Sequence, residues 1–353
     1  MSEELKHKCG IALVRLLKPL DYYQEKYGTW RYGLQKLYLL MEKQRNRGQD
    51  GAGIVSLKLD VQPGYKYFNR ERSVSSSAIN KIFERLYKRF SKIEKKHPEL
   101  LNDPAWVKQN IQFAAELYLG HLRYGTFGNN SLDNVHPVMR QNNWKSRNLV
   151  LAGNFNLTNV DELFNLLIDL GQAPKDYSDT VTILEKVGHF LDVENQNLFS
   201  KYKTLGYANT DISNMIAKNI DVAKVLTEAS KNWDGGYVIA GLVGHGDAFV
   251  LRDPWGIRPA FHYHDDEIAV VASERPVIQT ALNITYDKIE EVPPGHAVVI
   301  KKTGLLRWIK FWNQGKENPA RLKEYIFRGV PTRIFIMKGK DWENLSFRMC
   351  WIL

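Results

Sequence analysis

The stretch HKCGIALVRL, residues 7–16, places one of the chain's two cysteines before a glycine and an apolar run. CGIALVRL reads as a short buried strand. The cysteines, Cys9 and Cys350, stand at opposite ends with no companion at metal-ligand spacing, so neither a disulfide framework nor a zinc site is indicated. A lone thiol at the head of a buried strand invites a catalytic reading, against the ordinary one of a small structural side chain.

Working outward, the stretch from about Gly33 to Asn46 carries apolar residues at helical spacing. RNRGQDGAGIVSL then gives a glycine-rich turn running into a strand, with Gly48, Gly51 and Gly53 marking places where backbones pass closely. Residues 78–117 read as helical throughout. ELYLGHLRYGTFGNN places a strand before a glycine and asparagine loop, and NLVLAGNFNLTNVDELFNLLIDLG places another before a helix begun near Thr158, with Asp161 in its first turn. DTVTILEKVGHFLD is a second helix, and from Gly235 the pattern turns to strands: YVIAGLV, AFVLRD, AFHYH, IAVVAS and HAVVIKK. This order suggests stacked sheets with helices outside, though composition alone does not select one fold.

At 353 residues and 44% apolar, the chain is long enough to bury a full core. No stretch approaches the roughly 20 apolar residues of a membrane span, and MSEELKHK lacks the apolar region of a signal peptide, so a cytoplasmic protein with no membrane partner is expected. The net charge of +10 is concentrated: residues 301–353 hold 12 Lys/Arg against 4 Asp/Glu. RLYKRFSKIEKKH, residues 85–97, follows an amphipathic helical period and reads as a solvated helix face, so no nucleic-acid partner is expected.

CGIALV, RNRGQDGAGI, GHLRYGT, LAGNFNLTN, YSDT, WDGGYVIAGLV, LRDPWGIRPA, VASE and VPPGHAVVI resemble, in order and spacing, the glutamine amidotransferase domain of amidophosphoribosyltransferases over roughly residues 9 to 302. The resemblance implies an α+β fold, a four-layer αββα sandwich of the N-terminal-nucleophile hydrolase type. It implies Cys9 as nucleophile, with the Asn154 side chain and the Phe155 N–H as oxyanion donors. L-Glutamine would be held by Arg123 and Thr126 at its carboxylate and by Asp179 at its ammonium. Arg47, Gly48, Gln49 and Asp50 resemble a loop that packs beside the nucleophile and are assigned support. Most of the family has glycine where this chain has Phe155; a phenylalanine at positive φ would be strained there. Asp179 also fits a helix N-cap before TVTILEK. Arg252, Asp253 and Arg258 of RDPWGIRP are read as a structural turn closing the second sheet.

Three domain expectations follow. Residues 1–8 form a propeptide whose removal would give Cys9 a free α-amine as its own base; residues 9–312 form the amidotransferase domain; residues 313–353 form a poorly ordered, out-of-frame tail. The last rests on the genetic code: codons exist that would encode PARLKEYIFRGVPTRIFIMKGKDWEN in one frame and CSFERVYFPRSADKDIYNERKGLGE in the next, the latter resembling the family's continuation into a phosphoribosyltransferase domain. No cofactor is expected in this chain: Mg would belong to that domain, and the cysteines of the iron–sulfur cluster found in some relatives are absent. The family's frequent tetramers leave a homo-oligomer open. An inactive remnant, a regulatory interaction module and a stand-alone N-terminal-nucleophile amidohydrolase stand as alternatives.

Overall fold

The computed structural model describes residues 9–125 and 131–311. The expected propeptide, Thr126 and the whole of the expected tail, residues 313–353, lie outside them. Among the described residues the strands are β1 (Gly10–Leu16), β2 (Gly51–Leu57), β3 (Phe68–Ser73), β4 (Leu117–Arg123), β5 (Val138–Arg140), β6 (Leu149–Leu157), β7 (Gly235–Val243), β8 (Ala248–Arg252), β9 (Phe261–His264), β10 (Ile268–Ala272), β11 (Glu290–Glu291), β12 (His296–Ile300) and β13 (Leu306–Lys310). They form two antiparallel sheets, ordered β11-β9-β10-β1-β4-β2-β3 and β13-β12-β8-β7-β6-β5.

Alternation along the strands makes the layers. In β1, Ile11 and Leu13 join Val150 and Ala152 of β6 and Val238 and Ala240 of β7 in a core between the sheets. Ala12, Val14 and Leu16 point the other way, into a core shared with Leu34, Leu37 and Met41 of the Tyr32–Lys43 helix and Ile82 and Phe90 of the Ala78–Lys96 helix. The second sheet repeats this on its outer face, where Leu149, Leu151 and Ile239 pack on Ile183, Val187 and Leu191 of the Asp179–Thr204 helix. The result is the four-layer αββα sandwich. Strand β1 is buried along its whole length because both its faces are covered.

Residues 78–117 are not one helix. The Ala78–Lys96 helix stops before Pro98, a 3₁₀ turn covers Pro98–Asn102, a short helix runs Pro104–Asn110, and Leu117 already belongs to β4. Proline disfavours helical backbone in the residue before it and donates no N–H, so each of these prolines opens an element instead of continuing one. The 26-residue Asp179–Thr204 helix extends well past the expected Asp192, and helices at Asn209–Asn219, Val222–Ala229 and Arg275–Leu282 went unread.

Close approach explains two of the glycines. A Cβ on Gly53 would lie 2.1 Å from the His136 carbonyl oxygen, and one on Gly48 would lie 2.7 Å from the Arg123 carbonyl. Both contacts are with backbone, which has little room to yield. Gly53→Ala is therefore expected to lower stability by about 2 kcal/mol, read from the midpoint of urea unfolding. An unchanged midpoint would show that the His136 segment moves aside without cost.

Candidate active site

Cys9 sits one residue before β1, where the strand emerges from between β10 and β4. Continuing the alternation of Ile11 and Leu13, it faces the gap between the sheets. Its Sγ accepts the Tyr124 N–H at 3.3 Å. Burial pushes the thiol above its ordinary value, opposed by backbone N–H groups and the positive fields of Arg123 and Arg258. The entry to β1 is pinned on several sides. Arg47 Nε donates to the Cys9 carbonyl at 3.3 Å while its Nη1 pairs with Glu274 at 3.2 Å. The Ile11 N–H donates to Ser273 Oγ at 3.0 Å, and Gln44 Nε2 donates to the Ile11 carbonyl at 2.8 Å.

Arg123 ends β4 on the same face as Leu117 and Leu119, so its buried side chain also turns to the gap. Gly48 passes over its carbonyl, which accepts the Asp50 N–H at 3.1 Å, and the Asp50 carboxylate takes the Gly125 N–H at 2.7 Å. The loop expected to give support thus holds Cys9 through Arg47 and shapes the end of β4 through Gly48 and Asp50.

Asn154 lies on β6 with the parity of Val150 and Ala152, facing the gap, and is buried. Phe155 continues the strand opposite Tyr237 and is not among the residues at positive φ, so the strain considered for it does not arise. Tyr237 turns both its N–H and its carbonyl to Asp253, which leaves the Phe155 N–H pointing away from β7. That is the side on which the Gly153 N–H donates to His136 Nδ1, at 3.4 Å.

His136 belongs to a chain of bonds that sequence reading missed. Its Nδ1 accepts from Gly153, so the neutral ring carries its proton on Nε2, which donates to Thr180 Oγ1 at 3.1 Å; that hydroxyl donates to Asp179 Oδ1 at 3.3 Å. His121, its ring centroid 4.5 Å from that of His136, donates through Nε2 to the Gly153 carbonyl at 3.0 Å. Burial holds both imidazoles neutral, helped by the positive fields of Arg123 and Arg72 at His136 and of His136 and Arg123 at His121, so that His136 is lowered to about 4 and His121 well below its ordinary value. Both histidines stand in readable motifs, GHLR and NVHPV, but only the sheet-to-sheet approach shows them to be partners.

Asp179 is not the helix cap. Ser178 is, its Oγ accepting the Val181 N–H at 3.2 Å, and Asp179 is the first helical residue. Its carboxyl accepts the Thr180 N–H at 2.7 Å, and burial raises its pKa. RDPWGIRP is a turn, as its composition suggested, but it carries the chain from β8 in one sheet to β9 in the other instead of closing a sheet. The Asp253 carboxylate gathers the N–H groups of Trp255, Ile257 and Arg258, and the Arg252 guanidinium holds the carbonyls of Gly256, Arg258 and Val292. This folded turn aims the field of Arg258 at Cys9, a contribution the turn reading left out. Among the described residues no group of three or more His, Cys, Asp or Glu could hold a metal ion, and no helix is long and apolar enough to cross a membrane.

Two antiparallel sheets between helical layers, with a cysteine at the head of a central strand and facing the gap, define an N-terminal-nucleophile hydrolase fold. The chain is a homologue of amidophosphoribosyltransferases. It is 27% identical over 222 residues to the amidophosphoribosyltransferase of Archaeoglobus fulgidus, covering 63% of this chain and 41% of that one. It is 24% identical over 268 residues to the chloroplastic amidophosphoribosyltransferase 1 of Arabidopsis thaliana, covering 76% and 37%. The fold is similar to that of the glutamine phosphoribosylpyrophosphate amidotransferase from B. subtilis complexed with ADP and GMP, with TM-score 0.55, 20% identity, and coverage of 86% of this chain and 49% of that one. The chain thus spans half or less of the length of these relatives. No protein-family model matches it.

The neutral histidines make stability fall on acidification. His136 has a folded pKa of about 4, below its ordinary value, so the unfolded chain takes up the proton first. The contribution is fully present above about pH 6.5 and is lost as the pH falls towards 4, which amounts to about 2 kcal/mol between pH 7 and 5. His121 acts in the same direction. Urea unfolding at the two pH values should show that loss, and His136→Gln should show a smaller one; an equal loss in both would remove His136 as its source.

Proposed function

We propose that the described unit is a glutamine amidotransferase domain of amidophosphoribosyltransferase type, hydrolysing L-glutamine to glutamate and ammonia in the cytoplasm. The ammonia would serve 5-phosphoribosylamine formation in de novo purine synthesis. The observation that carries this reading is the Cys9 thiol at the gap between the sheets, on the Tyr124 N–H and in the fields of Arg123 and Arg258. The homology supports the choice of substrate.

A thiol raised by burial needs a base. Removal of residues 1–8 would free the Cys9 α-amine, whose ordinary pKa of about 7.7 to 8.0 leaves much of it neutral near pH 7.5 and able to take the thiol proton. The thiolate then attacks the side-chain carbonyl carbon of glutamine. Charge develops on the carbonyl oxygen, where the Asn154 amide and the Phe155 N–H donate, each worth about 3 kcal/mol in the transition state. The ammonium of Cys9 returns the proton to the amide nitrogen, the C–N bond breaks, and ammonia leaves. Water hydrolyses the thioester to glutamate and restores the thiol. Arg123, with Thr126, takes the substrate carboxylate, and Asp179 takes its ammonium, whose positive charge would offset the burial that raises that carboxyl. Arg47, Gly48 and Asp50 hold the nucleophile and the end of β4. The acceptor step, with any Mg²⁺ it uses, belongs to a transferase domain.

Intact mass together with ammonia release tests the reading. A mass lacking residues 1–8, and turnover abolished when 6-diazo-5-oxo-norleucine labels Cys9, is expected. Asn154→Ala should lower kcat by about 10² to 10³, whereas Arg123→Ala should raise KM by about tenfold or more. An intact start with no turnover would leave Cys9 without its base and favour the inactive or regulatory reading.

A further inference from the structure

Strand β3 ends the seven-stranded sheet, and a cavity of about 740 Å³ runs along it, walled by the Ala78–Lys96 helix, the turn at residues 110–113 and the segment around Met139. We propose that this cavity is a binding site for a small phosphate-bearing molecule with an apolar portion. Its volume is in the range of small-molecule sites. It lies three strands from β1, about 14 Å across the sheet, so the inference does not rest on the chemistry proposed for Cys9.

The first support is an unmet polar requirement. Asn69 lines the cavity and is only 7% exposed, yet its Nδ2 has no hydrogen-bond partner among the described residues. Directly opposite on β2, Ser56 is fully buried and its Oγ likewise has no partner among them. A buried amide donor left unpaired costs about 1–3 kcal/mol, which an acceptor oxygen of a ligand would recover.

Charge gives the sign of that ligand. Glu71 is the carboxylate among the lining residues, and Arg89 and Arg85 both pair with it. Lys66, Arg70 and Lys92 then leave the cavity positive. Several separated cations and a neutral amide donor suit a group with several acceptor oxygens and more than one negative charge, as a phosphate has. Phe68, Phe90 and Phe113 supply an apolar wall for the remainder of the molecule.

The wall is also strained. Phe113 is buried at φ +62°, a left-handed conformation that bulky residues rarely adopt. Its carbonyl is held by the Tyr118 hydroxyl at 2.9 Å, and that hydroxyl also accepts the Ala115 N–H at 3.2 Å. Backbone strain maintained in this way is characteristic of ligand sites.

Inorganic pyrophosphate, titrated into the full chain by isothermal calorimetry at fixed ionic strength, tests the proposal. One equivalent should bind with a Kd of about a millimolar or tighter. The double variant Lys66→Glu and Lys92→Glu, at exposed positions, should weaken binding by about tenfold or more without moving the thermal midpoint. Asn69→Leu should also weaken it. Absence of binding, or an equal Kd in the folded lysine variant, would overturn the inference.

Discussion

Strand β1 is covered on both faces, and most of the molecule follows from that. A strand with no exposed side has to be apolar on both parities, needs a strand on each edge for its backbone groups, and needs a layer above and below for its side chains. Strands β4 and β10 supply the edges, the Tyr32–Lys43 helix one layer and the second sheet the other. Where the cover stops, the residue that continues the inward-facing parity is Cys9. Its placement is a consequence of how far the two sheets overlap.

The environment of Cys9 is built by backbone more than by side chains. Gly48 brings the Arg47–Asp50 loop against the end of β4, and Gly53 lets the His136 carbonyl approach β2. These contacts bring loops that are distant in sequence to one end of the gap. The imidazoles of His121 and His136 then act as neutral spacers, joining the Gly153 backbone on β6 to Thr180 and Asp179 at the start of a helix. Neutrality is essential to this arrangement, because a protonated His136 could not accept the Gly153 N–H. Burial enforces it.

The errors of sequence reading have specific causes. Periodicity carried a helix through residues 78–117 because apolar spacing outweighed Pro98 and Pro104, which divide the segment. Asp179 resembled a cap because it precedes TVTILEK, but Ser178, one residue earlier, has the extended backbone and the hydrogen bond of a cap. Phe155 raised the question of positive φ only by comparison with a family glycine; here the strand simply continues through it. Strand β3, FNRERS, was unreadable as a strand because an edge needs charge more than alternation.

The sequence by itself determined the two-sided burial of CGIALVRL, the glycine turn at Gly48, the strand-rich region after Gly235 and the residue types gathered at the candidate site. Those are local properties, set by side-chain size, polarity and backbone freedom. Only the tertiary structure decided which of them meet. That the charge of Arg258 reaches Cys9, that His136 links Gly153 to Thr180, and that Asn69 lies buried beside a cationic cavity all depend on the packing of sheet on sheet and helix on strand edge. Such contacts join residues tens to hundreds of positions apart, and local sequence preferences do not encode their geometry.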